Sequence, residues 1–237
     1  MHNLIPLFVA IPLGVALIIP LASRVNLRLA DLLANLAFAF LFASTFWLSG
    51  GEFVYHMGAW KTPIGIDLRV DALTTLMLML INGLAVVVGI YSVAYLQRFT
   101  SREKYYMLFL LLVAGMNGVV VTGDLFNLYV FMEITAIASY ALVAFGGESE
   151  DFEASFKYAV FGGLSSSLIV IGIGLVYGMT GTLNMTHLAS RLSEASSTAP
   201  IRFAMALFFC GFGVKAALVP FHTWLPDAYP AAPAPIE

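Results

Sequence analysis

Seven times along the chain, about twenty mostly apolar residues run on without a break, at roughly 4–22, 28–49, 72–96, 105–122, 125–145, 154–178 and 201–220. That is the length of helix needed to cross the hydrocarbon core of a bilayer, so each run predicts a membrane-spanning helix. The connections are short and polar. Gln97–Lys104 is charged, Gly123-Asp124 makes a tight turn, and Gly146–Glu153 is acidic. The first run has no basic segment before it and no convincing small-residue cleavage site before Arg24. It reads as a retained span and not as a secretion signal.

Two intervals break the pattern. Residues 52–71 carry Phe53-Val54-Tyr55 and Gly65-Ile66-Asp67-Leu68-Arg69-Val70 on either side of Lys61-Thr62-Pro63, which predicts a short β-hairpin at the membrane surface. Between Gly181 and Pro200, Asn184 or Thr186 can cap a short helix with Leu188 and Leu192 on one face. His187, Arg191 and Glu194 lie on the other, the pattern of a helix lying in the membrane interface. After Pro220 the chain reads His222-Thr223-Trp224-Leu225-Pro226-Asp227. Four prolines in the last twelve residues argue against regular helix there.

Composition agrees with this reading. Of the 237 residues, 60% are hydrophobic and 11% charged, against about 25% charged in a soluble domain. The fold class expected is an all-α polytopic membrane protein with about seven spans, one broken. A net charge of −3 without a basic tract gives no sign of nucleic acid. The single cysteine, Cys210, rules out an internal disulfide. No phosphate loop, dinucleotide fingerprint or metal-spaced Cys/His cluster is present, so no cofactor and no metal is expected. Arg24, Arg28, Arg98, Arg102 and Lys104 fall in the 1–2 and 3–4 loops, with Lys157 beside the 5–6 loop. Basic short loops mark the cytoplasmic face, which places the N-terminus outside.

Two ionisable residues lie deep in apolar runs: Glu133 in span 5 and Lys215 in span 7. A charge at mid-membrane costs about 2.5–3.5 kcal/mol on insertion scales, so such residues face something polar. They form either part of an ion pathway or a buried pair fastening two helices. At about 7 Å and an effective dielectric near 20, the two would attract by about 2.4 kcal/mol. Desolvation opposes that attraction. Lys157, about four residues into span 6, either snorkels to the surface or faces inward as a relay link. His222 follows the break expected at Pro220 and has a side chain suited to proton transfer. Asp227, between prolines, reads as a cap or turn residue. Thr135, Ser139 and Ser165-Ser166-Ser167 read as small residues that let helices approach.

Gly123-Asp124-Leu125-Phe126-Asn127-Leu128-Tyr129-Val130-Phe131-Met132-Glu133, with Ser139-Tyr140-Ala141-Leu142 after it, resembles the fifth-helix motif of the antiporter-like membrane subunits. Val214-Lys215-Ala216-Ala217-Leu218-Val219-Pro220-Phe221-His222-Thr223-Trp224-Leu225-Pro226-Asp227-Ala228 resembles their broken seventh helix and the loop after it. Lys157-Tyr158, Gly181-Thr182-Leu183-Asn184 and the 65–71 segment also fit. The family includes subunits L, M and N of complex I, the D subunit of Mrp cation/proton antiporters and related subunits of membrane-bound hydrogenases. Leu-Phe-Asn-Leu-Tyr-Val-Phe looks closest to the Mrp and hydrogenase branch.

The resemblance implies that Glu133 and Lys215 gate proton uptake, with His222 and Lys157 on the same pathway, and that a full-length subunit has two inverted five-helix repeats. Residues 1–104 would hold helices 1–3 and the hairpin, and 105–237 helices 4–7 of the first repeat, without helix 8. The expected function is translocation of H⁺ or Na⁺ in the cell membrane of a prokaryote, within a multisubunit antiporter or redox-driven complex. The expected partners are other membrane subunits, including a second chain that completes the fold. A scaffold subunit without an ion path, and a quinone-reactive subunit, are the alternatives; the second lacks any redox-ligand cluster.

Overall fold

A computed structural model describes residues 4–48, 51–60, 62, 64–99, 101–194 and 199–236. The spans form α1 (Leu7–Ser23), α2 (Leu27–Thr45), α3 (Ala72–Tyr95), α4 (Arg102–Val121), α5 (Leu125–Val143), α6 (Ser149–Thr180) and α8 (Ala199–Lys215). Between them lie β1 (Phe53–His56), β2 (Asp67–Val70) and the short α7 (Met185–Glu194); α9 (Leu225–Ala231) follows α8. The helices α2 to α6 are long and apolar enough to cross a membrane. With 17 residues each, α1 and α8 span about 25 Å, slightly under the ~30 Å core.

Polar residues at the edges of the apolar runs start the helices. Asn26 caps α2 by accepting from the Arg28 amide at 2.9 Å. Asp71 caps α3 through the Thr74 amide at 2.8 Å, and Asp124 caps α5 through the Asn127 amide at 2.9 Å. Glu148 and Asp151 form a reciprocal capping box, so α6 starts five residues earlier than the apolar run alone indicates.

The helix α4 is central, packing on α1, α2, α3 and α5, while α6 packs on α5, α8 and α9. The main core lies among α1, α2 and α4, where Phe8, Phe38, Leu41, Tyr105, Tyr106 and Leu110 are fully buried. A polar knot crosses it. The amides of Asn82 and Asn117 bond reciprocally at 3.0 and 3.1 Å. Asn117 also donates to the Phe8 carbonyl at 3.1 Å. Within α1 that carbonyl faces position 12, where proline has no N–H to offer. Asn117 therefore satisfies a carbonyl that Pro12 leaves unmet, in a region without water to do so.

The hairpin pairs antiparallel as expected, Phe53 against Val70 and His56 against Asp67. Of the turn at Lys61-Thr62-Pro63, Lys61 and Pro63 lie outside the described residues. The hairpin is tied to two helix connections. The Gly123 amide donates to the Asp67 carbonyl at 2.8 Å, and the Met185 amide to the Gly123 carbonyl at 2.9 Å. Buried Asp67 accepts from the Asn184 amide at 3.1 Å and meets His56 Nδ1 at 2.6 Å. The interfacial helix is present as α7, with Asn184 as its cap on the His187 amide at 3.2 Å. Leu188 and Leu192 are half-buried, while His187 and Arg191 are exposed.

Two local expectations are corrected. The seventh span does not run to Pro220: α8 stops at Lys215. Ala217 takes a left-handed conformation with φ of 50°. The Leu218 amide reaches back to the Gly213 carbonyl at 2.9 Å and the Ala217 amide to Val214 at 3.1 Å, the bonding of a Schellman helix end. Nor do the terminal prolines exclude helix. In α9, Pro226 lies in the first turn, where no backbone donor is needed, and Pro230 comes only at the last-but-one residue.

Candidate functional site

Glu133 lies on α5, about two and a half turns in from Asp124, and Lys215 is the last residue of α8. Their side chains meet beside α6, with Lys215 Nζ 3.2 Å from Glu133 Oε1. The Ser166 hydroxyl, on α6, donates a short hydrogen bond to the same oxygen. Three helices thus converge on one carboxylate. The side chains of Glu133 and Lys215 are 28% and 18% exposed, so the pair is shielded but not sealed. A cleft of about 400 Å³ opens beside it, lined by Lys215 and Tyr158 and by apolar side chains including Met77, Met116 and Met132.

The end of α8 is braced by aromatic contacts. Trp224 donates from Nε1 to the Val214 carbonyl at 3.0 Å, one of the acceptors released by the helix end. The Trp224 ring stacks flat on Tyr158, with centroids 4.2 Å apart and planes 4° apart. Tyr158 in turn meets Tyr140 edge-on at 4.6 Å. Gly162 makes room for Tyr140, since a Cβ there would collide with its hydroxyl. Ser165 donates to the Gly211 carbonyl at 2.7 Å, holding α6 against α8. Lys215 is therefore carried on a helix end held by Trp224 and Ser165.

The other expected site residues are placed differently. Lys157 sits at the loop end of α6, 2.9 Å from Glu153 and 2.8 Å from Asp227. These residues border a polar cleft of about 320 Å³ with Glu150 and Asp151. Asp227 thus holds the segment after the break to α6. His222 lies in the turns between α8 and α9, and its Nδ1 is buried with no hydrogen-bond partner among the described residues. Thr135 and Ser139 bond back to their own helix at Phe131 and Thr135, and Ser167 to Gly163. Sequence reasoning grouped Ser166 with these and missed its bond to Glu133. It also passed over Tyr158 and Trp224 as site residues.

Residues 122–237 match the family described as NADH:quinone oxidoreductase/Mrp antiporter, TM. Residues 47–106 match NADH-Ubiquinone oxidoreductase (complex I), chain 5 N-terminus. The chain is 38% identical over 235 residues to the N subunit of the NADH-quinone oxidoreductase of Desulforudis audaxviator (strain MP104C), covering 98% of this chain and 47% of the relative. It is 36% identical over 243 residues to the D subunit of the Na(+)/H(+) antiporter of Bacillus subtilis (strain 168), covering 100% of this chain and 49% of the relative. Among solved structures, a chain of the membrane-bound sulfane sulfur reductase (MBS), an archaeal respiratory membrane complex, superposes with a TM-score of 0.93 at 37% identity. That match covers 98% of this chain and 49% of the other. The chain therefore spans about half the length of the relatives it matches.

Proposed function

The chain belongs to the antiporter-like membrane subunits, as the N-terminal half of their fold, and from that premise we propose that it carries H⁺ or Na⁺ across a prokaryotic cell membrane within a multisubunit complex. The observation that carries the proposal is the Glu133–Lys215 pair at 3.2 Å. A titratable pair inside apolar helices is costly to desolvate and is characteristic of residues that face a cavity along an ion path, and this pair borders an open cleft.

The mechanism rests on movement of one ammonium. At an effective dielectric near 20, the attraction at 3.2 Å exceeds that at about 7 Å by about 3 kcal/mol. Swinging Lys215 from Glu133 into the cleft would therefore change the energetics enough to drive a proton onto or off it. Ser166 holds the carboxylate in place while Lys215 moves. His222, with an unpartnered buried nitrogen just past the helix end among the described residues, would receive or pass on the proton toward the second half of the fold. That half would be supplied by a further segment or a separate membrane chain. Lys157 would act at the loop-side mouth, where Asp227 and Glu153 hold it. The N-terminus would lie outside, on the side of the hairpin.

The test is transport in proteoliposomes holding the intact assembly. An imposed pH gradient, with and without Na⁺, should drive ion flux that Glu133→Gln abolishes while subunit composition stays unchanged. Undiminished flux in Glu133→Gln would leave the pair as a strut between helices.

A further inference from the structure

Tyr158, Gly162 and Ser166 follow one another at intervals of four residues along α6, so they share one face of the helix. That face packs on α5. At one end of it the Ser166 hydroxyl donates to Glu133. At the other, Tyr158 follows Lys157, whose ammonium meets Glu153 and Asp227 at the polar cleft. Between the two ends stands Tyr140 of α5. Side chains on a helix tilt toward its N-terminus, so Tyr140 leans back along α5 toward Glu133, about two turns away, and lies within reach of that charge. Its ring meets Tyr158 edge-on, and its hydroxyl rests on Gly162.

We propose that the Tyr140 hydroxyl relays protons between the loop-side mouth at Lys157 and Glu133. The proposal rests on the reading that Glu133 takes up protons, and adds the route by which they arrive. Two observations carry it. The first is that the neighbouring hydroxyls are committed and this one is not. Thr135, Ser139, Ser155 and Ser165 each donate to a backbone carbonyl. The Tyr158 hydroxyl is hydrogen-bonded to Ser139. Tyr140 accepts from Ser155 through its own carbonyl at 2.8 Å, whereas its hydroxyl makes no hydrogen bond among the described residues. Nor is its oxygen closed off, as that of Tyr106 is. The second observation is the direction of the bonds. Ser166 already donates its proton to Glu133, so its oxygen can only accept from the next donor. The uncommitted proton of Tyr140 is that donor. Gly162 and Ser166 are about 6 Å apart along α6, a gap that one bridging water covers.

Transfer runs along this row without leaving a charge behind. A proton arriving from the mouth binds a lone pair of the Tyr140 oxygen while the phenol releases its own toward Ser166. Ser166 takes up that proton and passes its own to Glu133. Rotation of each hydroxyl about its C–O bond restores the starting direction. Delivery follows the movement of Lys215 away from Glu133, which leaves the carboxylate without the counter-charge it has at 3.2 Å.

The test measures H⁺ flux in proteoliposomes holding the intact assembly, beside its unfolding temperature. Tyr140→Phe should lower flux at least tenfold and enlarge the slowing caused by heavy water, with subunit composition and unfolding temperature unchanged. Tyr177→Phe, which alters an exposed tyrosine of α6 away from this row, should leave flux as it is. Flux in Tyr140→Phe within twofold of the unaltered chain, while Glu133→Gln abolishes it, overturns the relay and leaves the ion path standing. Flux that neither substitution alters overturns the ion path and the relay with it. A slower Tyr140→Phe with a lowered unfolding temperature, or with an unchanged isotope effect, overturns the relay and assigns Tyr140 to packing. Tyr140→difluorotyrosine keeps the ring and makes its hydroxyl more acidic, so it should change the pH profile of flux. An unchanged profile overturns the relay even where Tyr140→Phe does not assemble.

Discussion

Lys215 Nζ and the Ser166 hydroxyl bond the same oxygen of Glu133, Oε1, from two different helices. One carboxylate oxygen therefore joins α5, α6 and α8. If the pair only fastened helices, apolar replacements of both members would serve as well. A single replacement would leave a lone charge. Glu133→Gln and Lys215→Met should each abolish transport. Each should also lower stability by less than the about 3–5 kcal/mol typical of a fully buried pair, because both side chains are partly exposed. The double variant should recover most of the stability and none of the transport. Thermal unfolding beside flux measurements checks this, and recovery of flux in the double variant would refute a proton-carrying role.

Ser166→Ala tests the third contact. It removes a hydrogen bond to a charged group, a contact that contributes about 1.5–3 kcal/mol, and creates little space. Transport should slow about tenfold or more, with an altered pH profile and an intact assembly. Ser167→Ala, which loses only a bond within its own helix, should transport as the unaltered chain does.

The contrast between these serines shows what could be read from the sequence. Glu133 and Lys215 stood out because an isolated charge in an apolar run has few explanations. Asn184 was legible, with Thr186 as the alternative, because a short polar residue before an apolar face caps a helix, and Gly123-Asp124 because it reads as a tight turn between two apolar runs. Ser166 was not, since three adjacent serines look alike and only the rotation of α6 decides which one reaches α5. The end of α8 was misplaced for a related reason. Proline marks a break by its own chemistry, whereas Ala217 has no preference for a left-handed conformation. It is held there by bonds that include Trp224 to Val214.

Ala217 gives a further prediction. A left-handed alanine costs roughly 1–2 kcal/mol, and glycine relieves that strain while losing part of the gain to unfolded-state entropy. Ala217→Gly should stabilise the chain slightly, by up to about 1 kcal/mol, and leave transport intact. Ala217→Val should destabilise it by more than that and reduce transport, because a branched side chain resists positive φ and would shift the helix end that carries Lys215. Equal unfolding temperatures for the two variants would contradict the observed backbone.

Asp124 predicts a pH dependence. Burial pushes its carboxyl above the ordinary value of 3.8, and the nearby Asp67 charge adds to this against the amides of Asn127 and Phe126. A group raised in the folded state contributes stability that is full below its unfolded value and is lost as pH rises through its folded value. Asp124→Asn keeps an acceptor for the cap and removes the buried charge. The variant should therefore gain on the unaltered chain as pH rises from about 4 toward 7. Unfolding temperatures across that range, with the gap constant or shrinking, would show that burial does not govern this carboxyl.

Asn117 and Pro12 form the last test, because one side chain compensates for what the other lacks. Asn117→Leu leaves the Phe8 carbonyl and the Asn82 side-chain oxygen unmet in a buried region, while the Asn82 NH2 keeps its bond to the Leu78 carbonyl. Each unmet group costs about 1–3 kcal/mol, so a loss of roughly 2–5 kcal/mol is expected before any packing change. Pro12→Ala alone should change little: it restores a helical N–H opposite the Phe8 carbonyl, which Asn117 already satisfies. In the Asn117→Leu background, however, the same change supplies a donor for that carbonyl in place of Asn117. Pro12→Ala should then recover about 1 kcal/mol or more, a coupling between residues 105 positions apart that a double-mutant cycle measures directly. Strictly additive effects would mean that Asn117 does not stand in for the missing proline N–H. The knot would then hold α1 to α4 by packing alone.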